Sequence, residues 1–167
     1  MAVLNILRYP DARLHKLAVP VTVFDDALKK LVSDMAETMY AAPGIGLAAT
    51  QVDVHKQVIV VDVSERRDSL VVLVNPQIME AVGISDIEEG CLSVPAVYEL
   101  VERAERVKVR AYDHNGTAFT LEAQGLLSVC IQHEMDHLKG KVFIEHLSQL
   151  KQQRIRARLA KQLRKTA

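Results

Sequence analysis

Apolar side chains follow two kinds of spacing along this chain, and each kind marks a different element. Within residues 25–42, Leu28, Leu31, Val32, Met35 and Met39 recur at three- and four-residue intervals, which stacks them on one face of a helix. Asp25 or Asp26 is placed to cap its start, and Pro43-Gly44 to end it. Residues 57–63 and 70–75 are short apolar runs of strand character, and residues 106–113 alternate through Val107, Val109 and Ala111. Asn115-Gly116 supplies a hairpin turn into a further strand over 118–123. Residues 125–138 are helical in spacing but apolar round most of the circumference. Leu127, Ile131 and Leu138 occupy one side, and Leu126, Val129, Cys130, His133 and His137 the other. Gly140 stands where a glycine closes such a helix. Strands first and a buried helix later predict an α+β fold: antiparallel or mixed β-sheets wrapped around a central helix, with a C-terminal helix after it.

That central helix carries His133-Glu134-Met135-Asp136-His137. Four-residue spacing puts both imidazoles on one face, one turn apart, where they can reach a single ion at roughly 2.0–2.1 Å each. Glu134 then sits beside the ion and can take a proton from its water. In a buried helix these polar groups are costly unless paired or metal-bound, so the setting favours a ligand role over two surface histidines. Catalytic sites of this kind take a third protein ligand. Phe143 stands where the extended H-E-x-x-H-x-x-G-x-x-H pattern needs its last histidine, and Glu145 and His146 follow too closely. Cys130 lies about 7.5 Å along the helix from the midpoint of the two histidines, beyond a cysteine's reach. Cys91 remains a candidate, in Glu88-Glu89-Gly90-Cys91-Leu92-Ser93-Val94-Pro95, where Gly90 permits a close turn and Pro95 is expected to end strand pairing. From the residues alone Cys91 could equally be a small buried hydrophobe.

Two other stretches bear on chemistry. The glycines of Gly44-Ile45-Gly46 allow close backbone approach, and Gln51 offers an uncharged amide donor for a developing oxyanion. Leu126, Val129 and Cys130 precede His133 on its own face, so they line an apolar slot beside the ion, with Ile45 and Ile87 as its walls. Such a slot suits an unbranched hydrophobic side chain.

With 167 residues the chain is long enough for one domain. No stretch approaches the roughly 18 apolar residues of a membrane span, and residues 1–10 lack the features of an export signal, so a cytoplasmic protein without membrane contact is expected. Two cysteines give no disulfide framework. Net charge is zero but uneven. Residues 148–167 hold Lys151, Arg154, Arg156, Arg158, Lys161, Arg164 and Lys165 with no acidic residue, which leaves 14 basic against 21 acidic residues elsewhere, a balance of −7. Residues 1–147 are therefore read as a catalytic body and 148–167 as a basic helix of the same domain. Ile155, Leu159 and Leu163 give that helix a narrow apolar stripe, which fits a solvated helix docked weakly on the body, while the segregated cations suit an RNA-rich surface without specific DNA binding.

Three separated motifs together carry a resemblance. Gly44-Ile45-Gly46-Leu47-Ala48-Ala49-Thr50-Gln51, Glu89 to Ser93, and Gln132 to Leu138 match G-x-G-x-A-A-x-Q, E-G-C-L-S and Q-H-E-x-D-H-L, so over essentially its whole length the chain resembles the bacterial (type 1) peptide deformylases. The resemblance implies that Cys91, His133 and His137 bind one divalent metal ion and that Glu134 is the general base. It further implies that the Gln51 side chain and the Leu92 backbone N–H bind the oxyanion. The implied metal is Fe²⁺, with Zn²⁺, Ni²⁺ or Co²⁺ able to substitute. The implied substrates are N-formylmethionyl nascent peptides, and the basic C-terminal helix is implied to dock on the ribosome. Tyr98 and Pro43 depart from an arginine and an acidic residue common in relatives, which bears on how the peptide beyond methionine is held. The residues leave two rivals: a metallopeptidase using the same ligands, and a structural metal site closed by His15, His55, His114 or His146.

Overall fold

The helical face read at residues 25–42 forms α1 (Asp26–Ala41) in a computed structural model that describes residues 2–166. Asp25 caps it, accepting from the Leu28 backbone N–H at 3.0 Å, and Leu28, Val32, Met35 and Met39 are buried. The strands follow as β1 (Gly46–Ala48), β2 (Val58–Val61), β3 (Val71–Val82), β4 (Glu88–Cys91), β5 (Val94–Leu100), β6 (Arg106–Tyr112) and β7 (Ala118–Gln124). Five of them make an antiparallel sheet in the order β1-β2-β3-β6-β7, and β4 and β5 form a separate antiparallel ribbon. Helix α2 (Leu126–Leu138) lies against β1, β2 and β7, and the fold is α+β.

Two strand boundaries differ from the reading of the sequence, and both involve proline. Strand β3 continues to Val82 instead of stopping at Asn75. Asn75 takes a positive φ of 51° and the register slips between Val74 and Gln77, so Pro76 falls in a bulge where its missing N–H costs no ladder bond. Pairing likewise does not end at Pro95, which lies inside β5. Gly90 pairs with Tyr98 and Cys91 with Val94, so residues 95–97 loop out of register, with Ala96 at φ 63°. This bulge places Cys91 at the tip of the ribbon.

Three apolar clusters hold these layers. Ile131, Met135 and Leu138 of α2 meet Ile59, Leu73 and Val109 of the sheet, while Met35 and Met39 of α1 pack with Leu47, Val58 and Val60. The third cluster joins Leu7, Tyr9, Val94, Val97 and Phe143 to Ile155 and Leu159 of helix α3 (Gln149–Thr166). Burial of Ile155 and Leu159 contributes about 1.5–3 kcal/mol each. The expected stripe is shorter than its spacing: Leu163 is 56% exposed because α3 outruns the body after Leu159, and Ala167 lies outside the described residues. Among the described residues no helix is long and apolar enough to cross a membrane.

Candidate metal centre and substrate cleft

Burial of α2 between sheet and ribbon turns its sequence period into geometry. His133 and His137 are 6% and 0% exposed, with ring centroids 5.1 Å apart. From the ribbon tip, Cys91 brings its Sγ to 3.4 Å from His137 Nε2. One ligand atom from each of Cys91, His133 and His137 lies within 4.8 Å of the others. Donors bound to one tetrahedral ion stand roughly 3.4–3.8 Å apart, as bond lengths of about 2.0–2.3 Å require, so this set is close to the size a shared cation needs. One thiolate with two imidazoles is the donor chemistry of zinc and Fe(II) sites. Burial, with the neighbouring charges of His133 and Arg103, pushes the His137 ring well below its ordinary range, whereas at His133 burial is outweighed by Glu134 and Cys91, which hold that ring well above it.

A buried network behind the three-donor cluster was not visible in the sequence. His133 Nδ1 is 2.8 Å from Glu89 Oε1, which leaves Nε2 free to face the cluster. Arg103 grips Glu89 through two bonds of 2.7 and 3.0 Å, and also reaches Asp136 on α2, whose carboxylate is 2.8 Å from His146 Nε2. Burial works against the charge on Glu89, but hydrogen bonds from His133 and Arg103 hold its carboxyl below the usual range. Glu89 was read only as part of the E-G-C-L-S motif. Arg103, 7% exposed, belongs to no motif, and a lone arginine in a loop carries no spacing signal.

Glu134 is 3% exposed, and its Oε1 is 3.9 Å from His137 Nε2 with no hydrogen-bond partner among the described residues. A buried carboxylate oxygen without a partner, beside three metal-type donors, fits a site built to take a cation. Burial pushes this carboxyl up to about 7. The close approach of β1 to α2 explains Gly46: a Cβ there would fall 2.5 Å from Glu134 Oε2 and 2.7 Å from Cys130 Sγ.

Gln51 is fixed with its amide nitrogen toward the site. Oε1 accepts from Ala48 N–H at 2.9 Å, and Nε2 donates to Ser93 Oγ at 3.0 Å and lies 3.6 Å from Cys91 Sγ. A cleft of about 1010 Å³ opens here, and Gly44, Ile45, Gly46, Leu92, Leu126, Val129, Cys130, Tyr98 and Pro43 all line it. Ile87 does not line the cleft: it lies half-buried outside it, beyond the Glu88 end of β4. Cys130 stays out of the ligand cluster, 3.6 Å from the Ile45 carbonyl. His15, His55 and His146 pair with Glu145, Asp53 and Asp136, and neither they nor His114 joins the cluster.

A three-donor cluster open to a cleft, with a buried carboxylate alongside, defines a metal-hydrolase type of site. Residues 3–153 match the family model for polypeptide deformylase, and the chain belongs to that family. It is similar to peptide deformylase 1 of Ralstonia nicotianae, at 64% identity over 162 residues covering 96% of each chain. A crystal structure of a peptide deformylase from Legionella pneumophila superposes with a TM-score of 0.94 at 45% identity, covering 99% of this chain and 98% of that one. The peptide deformylase of Ehrlichia chaffeensis, solved in complex with actinonin, gives 0.93 at 39% identity, covering 97% and 98%. The chain is accordingly an enzyme, a metal-dependent hydrolase that removes the N-formyl group from N-formylmethionyl nascent peptides.

Proposed function

We propose that Cys91, His133 and His137 hold the divalent ion, that Fe²⁺ is the native metal, and that Zn²⁺, Ni²⁺ or Co²⁺ can replace it. The observation that carries this reading is the approach of these three donors to within 4.8 Å of one another beside the orphaned oxygen of Glu134. The bound cation supplies Lewis-acid polarisation of the formyl carbonyl and lowers the pKa of water. Glu134 takes the proton of the attacking water and returns it to the leaving amine. Gln51 Nε2 and the Leu92 backbone N–H stabilise charge developing on the formyl oxygen. Gly44, Ile45, Gly46, Leu126, Val129 and Cys130 receive the methionine side chain, in a cleft that we infer also takes actinonin.

Residues 1–147 act as the catalytic body in this reading, and the basic helix 148–167 of the same domain docks on the ribosome in the cytoplasm. Ile155 and Leu159 are built into the body, so the docking test replaces only the exposed Arg154, Arg158 and Lys161 by alanine. Salt-dependent co-sedimentation with ribosomes should weaken in that variant, and equal pelleting would remove the helix from the proposal. Metal analysis of anaerobically purified protein, paired with formate release from formyl-Met-Ala-Ser, tests the centre. One iron per chain and rapid release are expected. Release that survives complete metal removal, or comparable cleavage of the Ala-Ser bond, would overturn the reading.

A further inference from the structure

The cleft wall at Gly44 and Ile45 is held from behind by groups that do not face the cleft. Gly44 comes after the Ala42-Pro43 exit from α1, and its N–H returns to the Met39 carbonyl at 2.9 Å. Its own carbonyl accepts from Arg67 Nη2 at 2.5 Å. The next carbonyl, of Ile45, accepts from the Asp62 N–H at 2.8 Å. Arg67 is clamped in turn, its guanidinium lying 5.0 Å over the Tyr40 ring centroid. The Tyr40 hydroxyl donates to Asp62 Oδ2 at 2.6 Å. Burial and the Asp62 carboxylate push Tyr40 up to about 12, so that donor stays protonated.

Backbone conformation singles out the same residue. Arg67 has a φ of 57°, a region that non-glycine residues enter rarely and at a cost. Asp62 closes the 62–69 turn by accepting from the Ser64 and Ser69 N–H groups, and the Arg67 side chain reaches from that turn to Gly44. The far side of the wall is equally tight: a Cβ on Gly44 would meet Leu92 Cδ1 at 2.6 Å. Gly44 is thus held between Arg67 on its carbonyl and the Leu92 side chain beside its Cα.

We propose that Arg67 is a positioning residue for the substrate, setting the width of the methionine slot through the Gly44 carbonyl without touching the peptide. This rests on the reading of Gly44, Ile45 and Gly46 as the wall of that slot. Kinetics on formyl-Met-Ala-Ser test it with the metal-loaded enzyme. Arg67→Ala should raise KM about tenfold with kcat within threefold and bound metal unchanged, a loss of uniform binding. Arg67→Lys, which keeps the cation over Tyr40 but not the planar fork, should fall between. Tyr40→Ala should move KM in the same direction, and the double variant should be no worse than Arg67→Ala, because both act through one contact. Unchanged KM in Arg67→Ala, or in Arg67→Lys if the alanine variant does not fold, overturns the proposal. So does a fall in kcat at constant KM. Amide hydrogen exchange over residues 44–46 keeps this separate from the assignment of the slot: Arg67→Ala should exchange faster whatever its activity, and equal protection also overturns the brace.

Discussion

Helix α2 and the β4–β5 ribbon face each other across the ligand cluster and fix their side chains by opposite means. Backbone regularity does the work in α2, where a four-residue spacing within a buried helix sets the two imidazoles 5.1 Å apart and puts Glu134 beside them. The ribbon has only two strands and a register break at Cys91. Besides one backbone bond, from the Tyr9 N–H to the Ser93 carbonyl at 2.8 Å, side chains tie it in place, with Glu89 bonded to His133 and Arg103 joining Glu89 to Asp136. A regular element carries its precision within itself, whereas an irregular one draws it from a buried network shared with its neighbour.

The largest effect should come from the regular side. Glu134→Gln keeps both imidazoles and the thiolate, so metal content should match the native enzyme while kcat falls by roughly 10²–10⁴, the usual contribution of a general base. Near-normal formate release would show that the helix positions ligands but no base.

Cutting the link between the two elements should do less to chemistry and more to affinity. Glu89→Gln keeps the shape but removes the charge that faces Arg103 and His133. Metal affinity, measured by competition with a chelator, should weaken roughly 10–100-fold, as when an orienting partner of a ligand histidine is lost. Unfolding midpoints should fall too, because buried Arg103 is left with one carboxylate, that of Asp136, to balance its charge. An unchanged affinity would mean that the ribbon holds its place without this network.

Asp62 supplies the contrast of a carboxylate held chiefly by neutral donors. Burial works against its charge, but hydrogen bonds from Ser64, Tyr40 and Ser69 lower its pKa from 3.8 to about 2. A depressed carboxylate stabilises the fold fully above the unfolded-state value, and that contribution fades as pH falls from about 4 through about 2. Asp62→Asn should therefore cost roughly 1–2 kcal/mol at neutral pH in urea unfolding, with the gap to native protein narrowing below pH 4. A gap independent of pH would assign the effect to lost shape instead of lost charge.

The same contrast decides what the sequence could reveal. Helices α1 and α2 were legible to within a residue or two because apolar period, the Asp25 cap and Gly140 agree. So were the cores of β2, β6 and β7. Strand β3 beyond Pro76 was not, since residues 77–82 are exposed and show no apolar alternation, and a bulge that admits proline is a tertiary event. The residues alone left Cys91 open and only the three-motif resemblance implied it as a ligand, while its post at a ribbon tip depends on the slipped pairing opposite residues 95–97. The Glu89–Arg103–Asp136 chain joins residues 14 and 33 apart, with no period to betray it.

The two cysteines give the most direct test of the centre, because the geometry treats them oppositely. Cys91 Sγ belongs to the ligand cluster, while Cys130 bonds weakly to the Ile45 carbonyl and packs in the core, where burial holds its thiol well above the ordinary range. Metal content per chain, measured on anaerobically purified Cys91→Ser and Cys130→Ser proteins, should be largely lost in the first and stay near one in the second. Equal loss in both, or a full complement of metal in Cys91→Ser, would contradict the account.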